Sequence, residues 1–337
     1  MLEKVIDIVR QAAPLMDISQ IQIKEKDGLE NIVTSADIAV QHFLTGKLAE
    51  ILPGSGFLCE EEDFRDTGEE YVWIVDPIDG TANFSRGIQD CCISVALARK
   101  GVLQLGVVYS PWRSELFTAE KGCGAFLNGK AIKVSERPFE DGIFCTAMST
   151  YHKEWAKFCS DVIFDIYMRC NDVRRFGSAA LEICDLAAGR VELYFERQLQ
   201  PWDYAAAILI LLEAGGAVCG PDGSLPPLDG PSRVIAANTE SSRAEILRKA
   251  DKAARAVSSN IVQVSAGLLS REQHVLIANS EGLYTGDTRV YTRLLCSAVA
   301  SDGKENQTGT RNPGALMGFE LFDSRVDPEK TGHDAAQ

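Results

Sequence analysis

Apolar residues recur at helical spacing at the start of the chain. Leu2, Val5, Ile6, Val9, Ala12, Ala13 and Met16 share one face, broken by charges, and predict a helix over 1–16. Residues 21–24 read as extended and 26–28 as a turn. A second helix is predicted over 36–52, carrying Ile38, Val40, Phe43, Leu44, Leu48 and Ile51 and stopped by Pro53-Gly54. Short apolar runs at 56–59, 72–75, 93–99, 102–109 and 115–119 read as strands. The pattern then returns to helices at 153–164, at 179–188 (ended by Gly189) and at 203–214 (closed by Gly215-Gly216), with a strand at 191–195. Such alternation predicts a layered α/β fold of two stacked halves, about 1–138 and 139–251.

Composition shifts near residue 240. The stretch around 240–260 is polar, charged and rich in Ala and Ser and reads as a helical linker, with 252–260 taken as the linker between the two pieces. Residues 261–337 form a different piece, with β-like runs at 275–278 and 290–300 and a Gly/Asn/Thr-rich turn region at 302–314.

The formal charge of −14 argues against a basic face for nucleic acid or anionic membrane, and neither is expected as a partner. It also means that an anionic substrate has to be met by bound cations or backbone dipoles. No apolar stretch reaches the ~18–20 residues of a membrane span, the longest being 204–212, and the first residues hold no signal-peptide core. Ten cysteines without a Cys-x-x-Cys pair suggest reduced thiols in a cytoplasmic protein rather than a zinc or disulfide scaffold.

The chemistry concentrates at residues 56–84. The apolar run 72–75 delivers Asp76, Pro77 fixes the backbone, and Ile78, Asp79, Gly80 and Thr81 follow as a tight turn. Two carboxylates at a strand end, with Glu60 as a third, suit the hard cation Mg²⁺. A helix starting at Gly80-Thr81 would offer free amides to a phosphate. A bare Asp-x-x-Asp-Gly is also an ordinary β-turn with a capping aspartate, and Asp203 at a helix start is also an ordinary N-cap.

The complete strings distinguish these readings. WIVDPIDGTANF (73–84) and PWDYAAAILILLEAGG (201–216) resemble the two signatures of the inositol monophosphatase family. The resemblance implies an αβαβα sandwich and a phosphatase that uses Mg²⁺. It makes Glu60, Asp76, Asp79, Asp203 and the Ile78 carbonyl metal ligands, and Gly80 and Thr81 the phosphate-binding turn. Asp37, in IVTSAD, pairs with Thr81 to orient the attacking water, assisted by Glu60. Glu61 is either a supporting acid or part of a solvated acidic run, and Cys59 stands where the family usually has glycine. Ser178 and Ala179 match the alcohol side, Glu196 matches a glutamate that contacts a substrate hydroxyl, and Arg174, Arg175 and Arg197 are candidates for a second phosphate. The implied partner is a small phosphorylated metabolite, foremost inositol monophosphate, in a protein whose relatives are commonly homodimers. Fructose 1,6-bisphosphate and 3′-phosphoadenosine 5′-phosphate are the alternative substrates; a non-catalytic protein presenting its C-terminal segment is the alternative of another class.

Residues 274–322 resemble part of the N-terminal domain of TldD/PmbA-type metallopeptidases. The zinc motif of that family, His-Glu-x-x-x-His, is absent, since the histidines are His42, His152, His274 and His333. No peptidase activity is therefore expected.

Overall fold

The computed structural model describes the chain except residues 26–31, 62–64, 67–69, 221–223, 239–255, 259, 279–283, 302–304 and 316–324. The turn expected at 26–28 and most of the linker expected at 240–260 lie outside the described residues. Helix α1 (Leu2–Ala12) buries Val5, Ile6, Ile8, Val9 and Ala12, the face its spacing predicts. Strands β1 (Ile23–Glu25) and β2 (Ile32–Thr34) pair antiparallel and lead into α2 (Ser35–Ile51).

An eight-stranded sheet follows: β3 (Gly56–Cys59), β4 (Arg65–Asp66), β5 (Tyr71–Asp79), β6 (Cys92–Arg99), β7 (Val102–Ser110), β8 (Glu115–Glu120), β9 (Ala125–Leu127) and β10 (Lys130–Ile132). Its order is β10-β9-β8-β7-β6-β5-β3-β4, and only β3 and β5 run parallel. Alternation sends Trp73, Val75, Ile93, Val95 and Leu97 into one core with α1 and α2. Leu58, Ile74, Cys92 and Ala98 enter a second core on the other side.

After the single turn α3 (Thr81–Phe84) come α4 (Ala156–Tyr167), α5 (Ala179–Ala187) and α6 (Pro201–Glu213). The five-stranded sheet holds β11 (Ile143–Thr146), β12 (Asp172–Arg174), β13 (Leu193–Leu199), β14 (Ala217–Cys219) and β15 (Ser232–Ala237), in the order β12-β11-β13-β15-β14. Helices α5 and α6 share one core with residues of both sheets, among them Ile74 and Val108 of the first and Tyr194 and Val234 of the second. This explains why α6 is apolar all round: every residue from Tyr204 to Leu211 is buried, because it faces a sheet on each side. With α4 against β11, the layers run α–β–α–β–α. The predicted helix at 153–164 begins as a 3₁₀ turn, Lys153–Trp155, and becomes α-helical only at Ala156.

The chain divides into two compact units, Met1–Thr239 and Glu240–Gln337. The second is built on a hairpin of β16 (Ile261–Ala278) and β17 (Tyr284–Ser301), far longer than the runs predicted at 275–278 and 290–300. Part of the predicted turn region is strand, since β18 (Asn306–Arg311) and β19 (Gly314–Ala315) both pair with β17. Gly309 is there a close-approach residue rather than a turn signal: a Cβ would collide with the Ala335 carbonyl of α7 (Pro328–Ala336). Leu294, Cys296, Ala298 and Ala335 form this unit's small core.

The first unit offers a direct packing test. A Cβ at Gly106 of β7 would lie 2.6 Å from the Ala206 carbonyl of α6. Gly106→Ala is expected to destabilise the protein by about 1–3 kcal/mol through overpacking, read as a lower urea midpoint at unchanged slope.

Candidate active site

The two aspartates of the first motif owe their convergence to an irregularity. Strand β5 does not end at Asp76 but continues to Asp79, and the register opposite β6 slips between them, from Asp76↔Ser94 to Asp79↔Cys92. Two residues on β5, Pro77 and Ile78, thus face one on β6, Ile93, a bulge. In a regular strand, positions three apart point to opposite faces; the extra residue brings both carboxylates to the same face. That face is the one on which the Ser94 hydroxyl reaches the Trp202 carbonyl of α6 at 3.4 Å.

Each carboxylate is then held. Asp76 Oδ1 accepts from the Ile78 amide at 2.9 Å. Asp79 Oδ2 accepts from the Ser178 hydroxyl at 2.6 Å and the Ala180 amide at 2.7 Å, so the start of α5 grips it. Asp203 is not the N-cap of α6 but its third residue: Gln200 caps, and the Gln200 amide donates to Asp203 Oδ2 at 2.7 Å. The capping box thereby commits one oxygen of Asp203 and fixes its direction. Asp37 does the same in α2, taking the Thr34 amide at 2.8 Å and the Thr34 hydroxyl at 2.5 Å on Oδ2. Its Oδ1 faces Thr81, whose Oγ1 lies 3.1 Å from it and 2.9 Å from the Ile78 carbonyl. The pairing of Asp37 with Thr81 is therefore present as hydrogen-bonded geometry.

Gly80 has φ +93°, and a Cβ there would stand 2.9 Å from the Asp90 carbonyl, so glycine is required at this turn. The helix it starts is one turn of four residues, too short for an appreciable macrodipole; what it offers is the first-turn amides, which have no intrahelical acceptor. Asn83 Nδ2 ties this turn to the Asp90 and Phe176 carbonyls, at 2.7 Å each.

Several supports carry no motif. Gln41, one turn beyond Asp37 on α2, donates to the Glu61 carbonyl at 2.7 Å and accepts from the Glu61 amide at 2.9 Å. This two-point link holds the backbone next to Glu60 to the helix that carries Asp37. Glu61 is buried, which removes its reading as part of a solvated run. Glu182 Oε1 accepts from the Phe176 and Gly177 amides at 2.7 and 2.8 Å, steadying the turn before Ser178. Ser178 was expected on the substrate's alcohol side; it is buried and gives its hydroxyl to Asp79. Ala179 follows it as the first residue of α5, and Glu196 lies on β13. Of the arginines, Arg197 stacks over Trp155 and Phe158, Arg174 pairs with Asp172, and Arg175 reaches the Thr150 hydroxyl at 3.2 Å.

The electrostatics single out this cluster. Burial, then Glu60, Asp79, Asp203 and Asp37, hold the Asp76 carboxyl well above the usual range. Burial, Asp79 and Glu60 do the same to Asp203. Burial raises Asp79 to about 6, against the donations from Ser178 and Ala180, and raises Asp37 to about 6, against those from Thr34. Among the described residues no three such side chains close into a finished metal cage. The donor set nonetheless fits Mg²⁺: all oxygen, several carboxylates, and mutual repulsion that a divalent cation relieves.

The sequence pattern of the inositol monophosphatase family matches residues 1–255, and the chain belongs to this family. It is a phosphatase of a metal-dependent superfamily. Nus factor SuhB of Escherichia coli (strain K12) is 37% identical over 193 residues, spanning 57% of this chain and 72% of that protein. The inositol-1-monophosphatase of Mesorhizobium japonicum is 36% identical over 234 residues, 68% of this chain and 86% of its own. Among solved structures, the suppressor protein SuhB of Bartonella henselae superposes with a TM-score of 0.66 at 33% identity, covering 70% of this chain and 93% of that one. An IMPase of Thermotoga maritima gives 0.61 at 32% identity, covering 69% and 90%. Residues 235–337 match the PmbA/TldA metallopeptidase central domain, so the resemblance of the tail is to that family's second domain and not its first.

Two predictions arise from the site. A carboxyl whose folded pKa is raised retains its proton longer in the folded state than in the unfolded one. Its contribution to stability is then intact below the unfolded value, near 4, and lost as pH rises through the folded value, about 6 for Asp37 and Asp79. In EDTA the melting temperature is expected to fall between pH 4.5 and 7.5, by the equivalent of on the order of 2–3 kcal/mol per carboxyl, with Mg²⁺ restoring it at the upper end. Gln41→Ala is expected to raise about tenfold the Mg²⁺ concentration that gives half the thermal stabilisation, by loosening the segment that holds Glu60.

Proposed function

We propose that this chain hydrolyses a small phosphorylated polyol, foremost an inositol monophosphate, with Mg²⁺ bound by Glu60, Asp76, Asp79, Asp203 and the Ile78 carbonyl. The observation that carries the reading is the Asp37–Thr81 pair set beside a buried, mutually repelling carboxylate cluster. Bound Mg²⁺ supplies a lowered pKa for a coordinated water and charge neutralisation at the leaving oxygen.

The chain's own residues supply orientation. Asp37 Oδ1 and the Ile78 carbonyl are the two acceptors around the Thr81 hydroxyl, and both lie within its reach. Its hydrogen is thereby committed, so Oγ1 presents lone pairs and accepts from a water, turning that water's remaining lone pair toward phosphorus. Glu60 is the second acceptor for the same water. The amides of Gly80 and Thr81 take phosphate oxygens. The ester P–O bond breaks, the water's oxygen ends on phosphate, and one proton goes to the departing alcohol. Ala179 lines the alcohol side, and Glu196 accepts from a hydroxyl of the alcohol.

The net charge of −14 supports a small anion rather than a polyanion as the partner. All ten cysteines are unbridged, which supports a cytoplasmic setting. No helix among the described residues is long and apolar enough to cross a membrane.

Phosphate release from myo-inositol 1-phosphate tests the reading. Turnover is expected with Mg²⁺ and none with EDTA, and Thr81→Ala is expected to lower kcat by about 10²–10³-fold. Release only from fructose 1,6-bisphosphate or 3′-phosphoadenosine 5′-phosphate would replace the substrate; Mg²⁺-independent turnover would overturn the mechanism.

A further inference from the structure

Glu196 is held by a partner that no motif announces. The Tyr194 hydroxyl donates to Glu196 Oε2 at 2.7 Å. The two residues are two positions apart on β13 and so share a face. Tyr194 is wholly buried, and its ring belongs to the core formed with α5 and α6. Its strand is the central one of the five-stranded sheet, with Tyr194 opposite Cys145 on one side and Ala236 on the other. The phenol is therefore a fixed donor on a rigid element.

Glu196 stands where the regularity of the strand ends. It pairs with Val234, and the register then slips before Leu199, a bulge that re-aims the chain at this residue. Glu196 is only partly buried, and Oε1 makes no hydrogen bond among the described residues. It feels the charge of Asp79, and Asp203 feels its charge, which places it at the carboxylate cluster. Burial raises the Glu196 carboxyl to about 7, against the donation from Tyr194 and the nearby charge of Arg175. Burial and the neighbouring carboxylates keep the Tyr194 phenol protonated throughout the neutral range, so it can only donate to Glu196.

We infer that Tyr194 is a specificity-determining positioning residue: it pins Glu196 through Oε2 so that Oε1 is turned to accept a hydroxyl of the alcohol portion of the substrate. The ligand selected is a phosphate monoester bearing a free hydroxyl near the ester carbon. This rests on the polyol reading of the site. Without the phenol, Glu196 loses its fixed direction, and phosphate esters with and without the hydroxyl become more alike as substrates.

The test compares kcat/KM for myo-inositol 1-phosphate with that for phenyl phosphate, which has no such hydroxyl, in wild type, Y194F, E196Q and the double variant. Y194F removes one buried oxygen and no ring volume. The ratio is expected to fall about tenfold in Y194F, mostly through KM for the inositol ester, and the double variant is expected to fall no further than E196Q alone. A wild-type preference that survives Y194F, or losses that multiply in the double variant, would overturn this inference and leave the polyol reading standing. A wild type equally active on both esters would overturn both. If Y194F melts well below wild type, Y194H and Y194W at matched stability replace it; a ratio that tracks stability rather than the donor would also overturn the inference.

Discussion

Like charges held together out of water are the constraint on which the first unit is built. Asp76 and Asp79 are buried within reach of the charges of Glu60, Asp203 and Asp37, and carboxylates so placed push one another's protonation upward. In an unbound protein this is a standing cost. The fold keeps it because each carboxylate is tied by a local device that the larger architecture makes rigid. The β5 bulge turns two aspartates to one face, capping boxes at α2 and α6 orient Asp37 and Asp203, and the start of α5 grips Asp79. Every one of these devices commits one oxygen to the backbone and leaves the other to the site.

The layered packing exists around that arrangement. Helix α6 delivers Asp203 from between two sheets, where no polar face is possible, and its small residues allow β7 to come close enough that Gly106 has no room for a Cβ. A site assembled from α2, β5, α5, α6 and β13 holds its geometry only if those five elements are fixed relative to one another. Burial of their apolar faces in shared cores does this.

Much of this was legible in the sequence, for identifiable reasons. Helical spacing at Leu2–Met16 and the apolar 204–212 run survive in the structure because local periodicity and burial agree there. The string around Asp76 and Asp79 pointed to its candidate chemistry through its resemblance to a family signature. The supports were less visible. Gln41 bonds a partner 20 residues away, strand alternation puts Tyr194 and Glu196 on one face without announcing their hydrogen bond, and Ser178 reaches Asp79 across 99 positions. Asp203 reads as an N-cap from sequence because a capping box at Gln200 differs from it by three positions only, which boundary reasoning does not separate. In the second unit, Gly309 and its polar neighbours resembled a turn, whereas cross-strand pairing with β17 and the approach of α7 determine a strand.

The central claim, that the carboxylate cluster is a divalent-cation site, is tested most directly by anomalous diffraction from crystals of the full chain grown with Mn²⁺ in place of Mg²⁺. The account predicts anomalous density in contact with Asp76, Asp79, Asp203 and Glu60, lost or displaced in Asp76→Asn. Full Mg²⁺-dependent phosphatase activity with no Mn²⁺ density at these residues, or with density only elsewhere on the chain, would contradict it.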